Sequence, residues 1–374
     1  MKKILIMISA LGGGGAERVA VLLANRLSEK HEVYLLPFSK CSRPYPVSRN
    51  VRLLDYALFD LREKKGPLRQ TARKLISAVW IFGRLSRFRT GKQPDATLSL
   101  LLGPNLFNIL APGHGRKVLS ERNNPKKKGR GRLTVSRIAY RFGDAVVFQT
   151  EAIRSMFPKS VQAKGVLLPN PVETECMALD RRKHRIVSAG RLVRQKNHAL
   201  LLRAFSSFHR IHPEYELTIY GDGDLEKPLR AMIDELELTE SVRLIPNSAH
   251  IHREIADAEF FVLSSDFEGL PNSLLEAMMM GIPCISTRYP GSEELLRDRE
   301  TALLVPVGDT DALSGAMTRF AEDPLLRETV SKNGKLFAET YRAETVLPLW
   351  EKVIFGEPEE EKEQDTTERQ TRGN

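Results

Sequence analysis

Cysteine is scarce in this 374-residue chain, with three in all, Cys41, Cys176 and Cys284. They are far apart and odd in number, and no C-x-x-C pair occurs. Neither a disulfide framework nor a thiolate zinc site is indicated, and a reducing compartment fits. Long apolar runs are missing too, since none approaches the roughly 20 residues that span a bilayer. The opening MKKILIMISA could pass for a signal peptide. A glycine run and an amphipathic helix pattern follow it directly, however, as they do after a buried strand. Aromatic residues make up only 7% of the chain, and neither a stacking platform nor a nucleic-acid recognition motif is present.

Acidic residues are short in one half only. Residues 1–180 hold 32 Lys and Arg against 13 Asp and Glu, and residues 181–374 hold 25 against 34, within a net charge of +10. The basic half wants an anionic partner, whether nucleic acid, phospholipid headgroups or a phosphorylated substrate. The acidic half argues against a protein that coats nucleic acid along its whole length.

Length points to two domains. Strand-like stretches at 2–9, 32–38, 51–56, 96–101, 117–120 and 144–149 alternate with helical ones. The pattern pauses at GVLLPNPVETE (165–175), which reads as a linker, and restarts at 185–190, 216–221, 241–246, 259–265, 282–287 and 302–306. Such alternation specifies doubly wound parallel sheets. The expected units are 1–170 and 171–356, with the helix near 344–355 returning to the first domain. An acidic, disordered tail is expected over 357–374.

Ligands of doubly wound sheets bind beyond the carboxyl ends of strands, so the loops there carry the chemistry. SALGGGGAER (9–18) brings Gly13, Gly14 and Gly15 to a helix N-terminus that favours an anion. A dinucleotide fingerprint would need a further glycine where Glu17 and Arg18 stand, which counts against an NAD-dependent oxidoreductase. AGRLVRQKN (189–197) sets Arg191 and Lys196 in a strand-to-helix turn suited to a diphosphate. GDGDLEK (221–227) carries Asp222 and Asp224 as D-x-D, a pattern able to hold a metal. The simpler reading is a glycine turn with Asp224 capping a helix from Leu225. In FEGLPNSLLEAMMMG (267–281), Ser273 and Glu276 match a capping box. Pro271 instead favours an earlier helix start, which puts Glu276 more than a turn in, among apolar neighbours. A carboxylate there is costly without a partner, and a ligand's hydroxyl pair is one candidate.

SSDFEGLPNSLLEAMMMGIPCI, preceded by AGRLVRQKN and GGGGAER, resembles the large family of retaining, nucleotide-sugar-dependent glycosyltransferases with the GT-B fold. The likeness covers residues 1 to about 355. It implies two Rossmann-like domains facing a cleft, with the donor held mainly by the second and the acceptor by the first. It places Glu276 on the ribose hydroxyls, Glu268 on the donor sugar, and Arg191 and Lys196 on the diphosphate. Gly13 to Gly15 would lie near the β-phosphate, with Gly269, Leu270, Pro271 and Asn272 helping to hold phosphate and sugar. Such fixed cations remove the need for a metal or other cofactor. Many relatives carry a histidine after a first-domain strand. Here that place reads VLSERNNP (118–125), so Glu121 or Arg122 is expected to face the cleft, with Glu17 also on the acceptor side. His114 precedes the strand and reads as a loop residue.

The stretch 64–92 has Leu68, Leu75, Ile76, Val79, Trp80, Phe82, Leu85 and Phe88 at helical spacing. Arg69, Arg73, Lys74, Arg84, Arg87 and Arg89 are interleaved among them. With the basic cluster at 123–132 it suggests an anionic membrane surface. The expected enzyme therefore transfers a sugar, from a UDP-sugar or else a GDP-sugar, to a lipid-linked or saccharide acceptor. It would be cytoplasmic and peripheral on the inner face of the cell membrane, with no nucleic-acid partner. A nucleotide-sugar epimerase of the same architecture is the nearest rival. A non-catalytic membrane- or RNA-binding protein is the more distant one.

Overall fold

The computed structural model describes residues 1–12, 14–41, 44–59, 67–122, 130–174, 183–248 and 250–356. In the first domain β1 (Lys3–Ile8), α1 (Gly15–Leu27), β2 (Glu32–Pro37) and β3 (Arg52–Leu53) come first. They are followed by α2 (Pro67–Lys92), β4 (Ala96–Leu100), α3 (Leu102–Leu110), β5 (Arg116–Ser120) and α4 (Arg130–Ala139). The domain ends with β6 (Ala145–Phe148), α5 (Glu151–Arg154), α6 (Lys159–Gln162) and β7 (Gly165–Leu167). Its seven-stranded sheet runs β3-β2-β1-β4-β5-β6-β7, with every pair parallel.

The second domain opens with β8 (Lys183–Ala189), α7 (His198–His209), β9 (Glu216–Tyr220), α8 (Glu226–Glu235) and β10 (Val242–Ile245). Next come α9 (Ile251–Ile255), β11 (Ala258–Leu263), α10 (Asn272–Met279), β12 (Cys284–Thr287) and β13 (Leu303–Val305). The chain then runs through α11 (Thr310–Glu322), α12 (Pro324–Glu339) and α13 (Ala343–Phe355). The six-stranded sheet runs β10-β9-β8-β11-β12-β13, again parallel throughout. Strands covered on both faces read as continuous apolar runs, as KILIMI and AEFFVL do.

Four expectations need correction. The linker reading of 165–175 fails at its start, because Gly165–Leu167 is β7 and pairs with β6. The strand expected over 51–56 is only Arg52–Leu53. α8 begins at Glu226 after Leu225, so Asp224 is not its N-cap. The amphipathic stripe of α2 divides in two. Ile81, Leu85 and Phe88 are buried against Leu5, Met7, Tyr34 and Leu36, whereas Leu75, Ile76, Val79, Trp80 and Phe82 are exposed. Arg89 leaves the basic face entirely. It is fully buried, and its Nη1 donates to the Asn108 and Ala111 carbonyls at 2.9 Å each. These carbonyls close α3, whose last turn has no partners of its own for them.

α13 crosses back and buries Val346, Trp350 and Ile354 against the first sheet. Trp350 Nε1 donates to the Pro169 carbonyl at 2.9 Å. The two crossings between domains run together, with the Ala343 amide donating to the Val172 carbonyl at 3.0 Å. The carboxyl ends of β1 and β5 to β7, in one sheet, and of β8, β9 and β11, in the other, thereby open on one cleft.

Candidate active site between the two sheets

The loop after β8 is locked before any ligand arrives. Its Leu192 amide donates to the Asp222 carbonyl at 2.9 Å. A Cβ at Gly221 would lie 2.0 Å from the Gly190 carbonyl oxygen, and one at Gly223 would lie 2.3 Å from that of Leu192. The two glycines of GDGD are therefore required by loop-on-loop contact. Asp222 accepts from the Asn247 amide at 3.3 Å. Among the described residues, no group of three or more His, Cys, Asp or Glu is disposed to hold a metal ion.

Asn197 ends the loop in the left-handed region (φ 47°), where its side chain accepts from the Leu200 amide and caps α7. The same side chain donates to Asp266 at 2.7 Å. Gln195 donates to the Phe267 carbonyl at 2.9 Å, and Ser264 to the Lys196 carbonyl at 2.9 Å. These bonds clamp the loop to the end of β11. Lys196 Nζ is thereby set 2.7 Å from Glu268 Oε1, which also accepts from Ser265 at 2.6 Å. Gln195 reaches the other oxygen at 3.3 Å. Arg191 lines the cleft beside them, exposed and without an ion pair among the described residues. Behind Glu268 lies Tyr289. Burial, and then the Glu268 charge, push its hydroxyl well above the ordinary tyrosine range.

Pro271 is the N-cap of α10, one position before the helix rather than its first residue. The capping box is not formed, and Glu276 lies in the second turn, as the earlier start requires. The amides of Asn272 and Ser273 have no partner within the helix. Glu276 is buried, and its Oε2 accepts from Arg18 Nη1 at 3.0 Å; His252 Nε2 lies 3.2 Å from the same oxygen and 3.0 Å from Arg18 Nη2. The partner for this carboxylate therefore comes from the opposite domain.

The first-domain wall begins with Gly14, Gly15, Glu17 and Arg18, all lining the cleft; Gly13 lies outside the described residues. The Gly15 carbonyl accepts from Asn272 Nδ2 at 3.2 Å. Asn272 Oδ1 accepts in turn from Asn170, whose own Oδ1 accepts from Arg122 Nη1 and from Gln149 at 2.8 Å. Gly269 faces Gln149 so closely that a Cβ would sit 2.4 Å from Oε1. Leu270 and Pro271 complete this side.

Of the Glu121 and Arg122 alternatives, the structure brings only Arg122 to the cleft. Glu121 turns into the first domain, 1% exposed, where it accepts from the Tyr140 hydroxyl at 2.7 Å. Arg122 is buried over the Trp350 ring, 5.3 Å from its centroid, and its Nε and Nη2 have no partner among the described residues. Burial pulls its guanidinium down to about 9, which still leaves a buried cation at neutral pH. Sequence reasoning missed Arg18, His252, Gln195, Gln149 and Asn170. The one available signal was the buried carboxylate of Glu276, which demanded a cation from somewhere.

Residues 177–337 match the family model described as Glycosyl transferases group 1. A Campylobacter jejuni N-acetylgalactosamine-N,N'-diacetylbacillosaminyl-diphospho-undecaprenol 4-alpha-N-acetylgalactosaminyltransferase is 27% identical over 91% of this chain and 96% of its own. The amylovoran biosynthesis glycosyltransferase AmsD of Erwinia amylovora is 23% identical over 95% of this chain and 100% of its own. Among solved structures, Anabaena HepE in complex with UDP and glucose superposes with a TM-score of 0.78. It has 16% identity and covers 95% of this chain and 100% of its own. With two parallel sheets closing on one cleft and relatives aligned end to end, the chain has the GT-B fold, and its second domain is similar to the group 1 glycosyltransferases.

Proposed function

We propose that the protein is a retaining glycosyltransferase that needs no metal. It takes a sugar from a nucleotide-sugar, a UDP-sugar before a GDP-sugar, and passes it to a lipid-linked saccharide in polysaccharide or glycolipid assembly. The observation that carries this reading is the Lys196–Glu268 pair, held at 2.7 Å beside Arg191 where α10 begins. Breaking the bond between the anomeric carbon and the β-phosphate leaves the electron pair on a diphosphate. Arg191, Lys196 and the first amides of α10 meet that growing charge with positions already fixed, which lowers the barrier electrostatically. Glu268 is spoken for by a cation and two donors, which suits holding donor-sugar hydroxyls. The acceptor hydroxyl attacks on the face the diphosphate leaves, and its proton passes to a departing phosphate oxygen. The anomeric configuration is retained. Glu276 takes the ribose hydroxyls when Arg18 withdraws. Glu17 and Arg122 lie on the acceptor side.

HepE was solved with UDP, and the Campylobacter relative acts on a diphospho-undecaprenol acceptor, which favours these substrate classes here. Among the described residues no helix is long and apolar enough to cross a membrane. Approach to such an acceptor is by peripheral contact of α2 and the basic stretch 123–132, of which 123–129 lie outside the described residues, with the cytoplasmic face of the cell membrane. The test is a thermal-shift screen against UDP, GDP, ADP, NAD and their sugar conjugates, with EDTA present. A ligand that binds only the folded state raises its apparent stability. Stabilisation by UDP and one UDP-sugar supports the reading, and a response to NAD alone ends it.

A further inference from the structure

The two faces of the first sheet are dressed differently. Ile4, Ile6, Val118 and Val147 point to α1 and α13, whereas Leu5, Met7, Leu119, Val146 and Phe148 point to the side holding α2, α3 and α4. The three helices form one layer there, with Phe107 of α3 meeting Phe82 of α2 edge to face at 6.2 Å. The outer surface of that layer is apolar well beyond α2. Leu110 at the end of α3 is 67% exposed. On α4 and the 3-10 turn Tyr140–Phe142 that follows it, Val135, Ile138 and Phe142 are 44%, 55% and 65% exposed. Their spacing of three and four residues puts them on one flank, opposite the buried Leu133, Ser136 and Tyr140. An apolar ridge of this kind on a solvent-exposed face marks an interaction surface.

The charges on the two segments that carry it have one sign. Residues 67–92 and 130–142 contain no Asp or Glu. Exposed Lys74, Arg84 and Arg87 flank the apolar side chains of α2, and exposed Arg137 and Arg141 flank those of α4. Arg137 also donates to the Met156 carbonyl at 2.7 Å. Apolar side chains on segments whose charges are all cations complement an anionic bilayer interface, where the chains enter the acyl boundary and the cations meet phosphates.

We propose that α4 and its following turn are a second membrane anchor, inserting Val135, Ile138 and Phe142 beside α2. The proposal rests on the membrane association read for α2. One amphipathic helix leaves a protein free to roll about its axis. Two on the same sheet face fix the orientation and hold the carboxyl edge of β4 to β6, hence the cleft, level with the lipid surface.

The experiment is co-sedimentation of the full chain with phosphatidylglycerol-containing vesicles and with neutral phosphatidylcholine vesicles. The variants are Val79→Glu with Trp80→Glu on α2, and Ile138→Glu with Phe142→Glu on α4. Each pair is expected to weaken binding to anionic vesicles about tenfold or more. The UDP thermal shift should remain, because all four side chains are exposed. A Phe142→Trp protein carrying Trp80→Phe should show blue-shifted emission and quenching by brominated lipid, a gain that misfolding does not mimic. If the α4 pair binds like wild type and the indole introduced by Phe142→Trp stays unquenched, the second anchor is wrong while the α2 reading stands. If wild type ignores vesicles, or binds an RNA oligonucleotide in their place, both fall.

Discussion

Glu268 and Glu276 stand with seven residues between them and live under different rules. The partners of Glu268, namely Lys196, Gln195 and Ser265, all belong to the second domain. Glu276 shares Oε2 between His252 of its own domain and Arg18 of the other. Opening the cleft would leave the first carboxylate satisfied and strip the second of its cation. A buried carboxylate without its counter-ion is costly. The Glu268 corner is accordingly prebuilt, which suits the charge-stabilising role proposed for it. The Glu276 corner is completed only by closure or by a ligand. If Glu276 holds the ribose as proposed, the nucleotide competes with Arg18 for it.

The largest effect should come from breaking the prebuilt corner. Lys196→Ala is expected to lower kcat about 10²- to 10³-fold, the usual loss for one preorganised charge-stabilising donor. Glu268→Ala is expected to abolish transfer likewise, with circular dichroism spectra unchanged in both. Activity within tenfold of wild type in either variant would remove this corner from the chemistry. The second corner should respond asymmetrically. Glu276→Ala is expected to weaken UDP binding by more than tenfold, in line with about 1.5–3 kcal/mol for hydrogen bonds to a charged group. Arg18→Ala should leave the UDP Kd within about threefold. Equal losses in the two variants, read by calorimetry, would make Arg18 a donor ligand and not a competitor.

Much of this was legible in the sequence, and the misses share a physical origin. Buried parallel strands announce themselves as apolar runs, so both sheets could be read. Pro271 against Ser273 correctly located Glu276 beyond the first turn, because proline restricts where a helix begins. Arg18 could not be paired with Glu276, since 258 residues separate them and only the closing of two domains joins them. Glu121 and Arg122 could not be told apart because neighbouring residues leaving a strand point to opposite sides. In α2 the apolar spacing was plain, but Leu85 and Leu75 look alike in sequence, and only the position of β1 and β2 makes one of them core. Arg89 reads as a surface charge until the unsatisfied carbonyls of α3 are seen to require it. The three residues of β7 were too short to register as a strand.

An effect on global stability, not on activity, separates the prebuilt loop from its surroundings by pH. His198 opens α7 directly behind Lys196 and is 3% exposed. Burial, and then the Lys196 charge, pull it down to about 4 from 6.5. Its folded form refuses a proton that the unfolded chain accepts from pH 6.5 downward. Stability is therefore intact above pH 6.5 and is lost as pH falls towards 4, by on the order of 3 kcal/mol at the bottom of that window. Urea denaturation at pH 7 and at pH 4.5 should show a drop in wild type and a smaller one in His198→Phe. Equal drops would mean that other groups carry the acid sensitivity.

The smallest expected effect is the most pointed about mechanism. Asp222 and Asp224 look like a metal-binding pair, yet the glycines between and before them are explained by contact with the Gly190–Leu192 loop. Asp222 already has a role for its carboxylate, accepting from the Asn247 amide at 3.3 Å. A cation at this point would also approach Arg191 and Lys196, and like charges in one corner raise the cost of holding a nucleotide-free metal. Asp222→Ala should therefore change kcat/KM by less than about threefold, the scale of one ordinary hydrogen bond of roughly 0.5 kcal/mol. EDTA should leave both proteins unchanged. A wild-type activity that needs Mg²⁺ or Mn²⁺, and that loses this need in Asp222→Ala, would transfer the task of neutralising the diphosphate from the Arg191–Lys196 loop to the turn after β9.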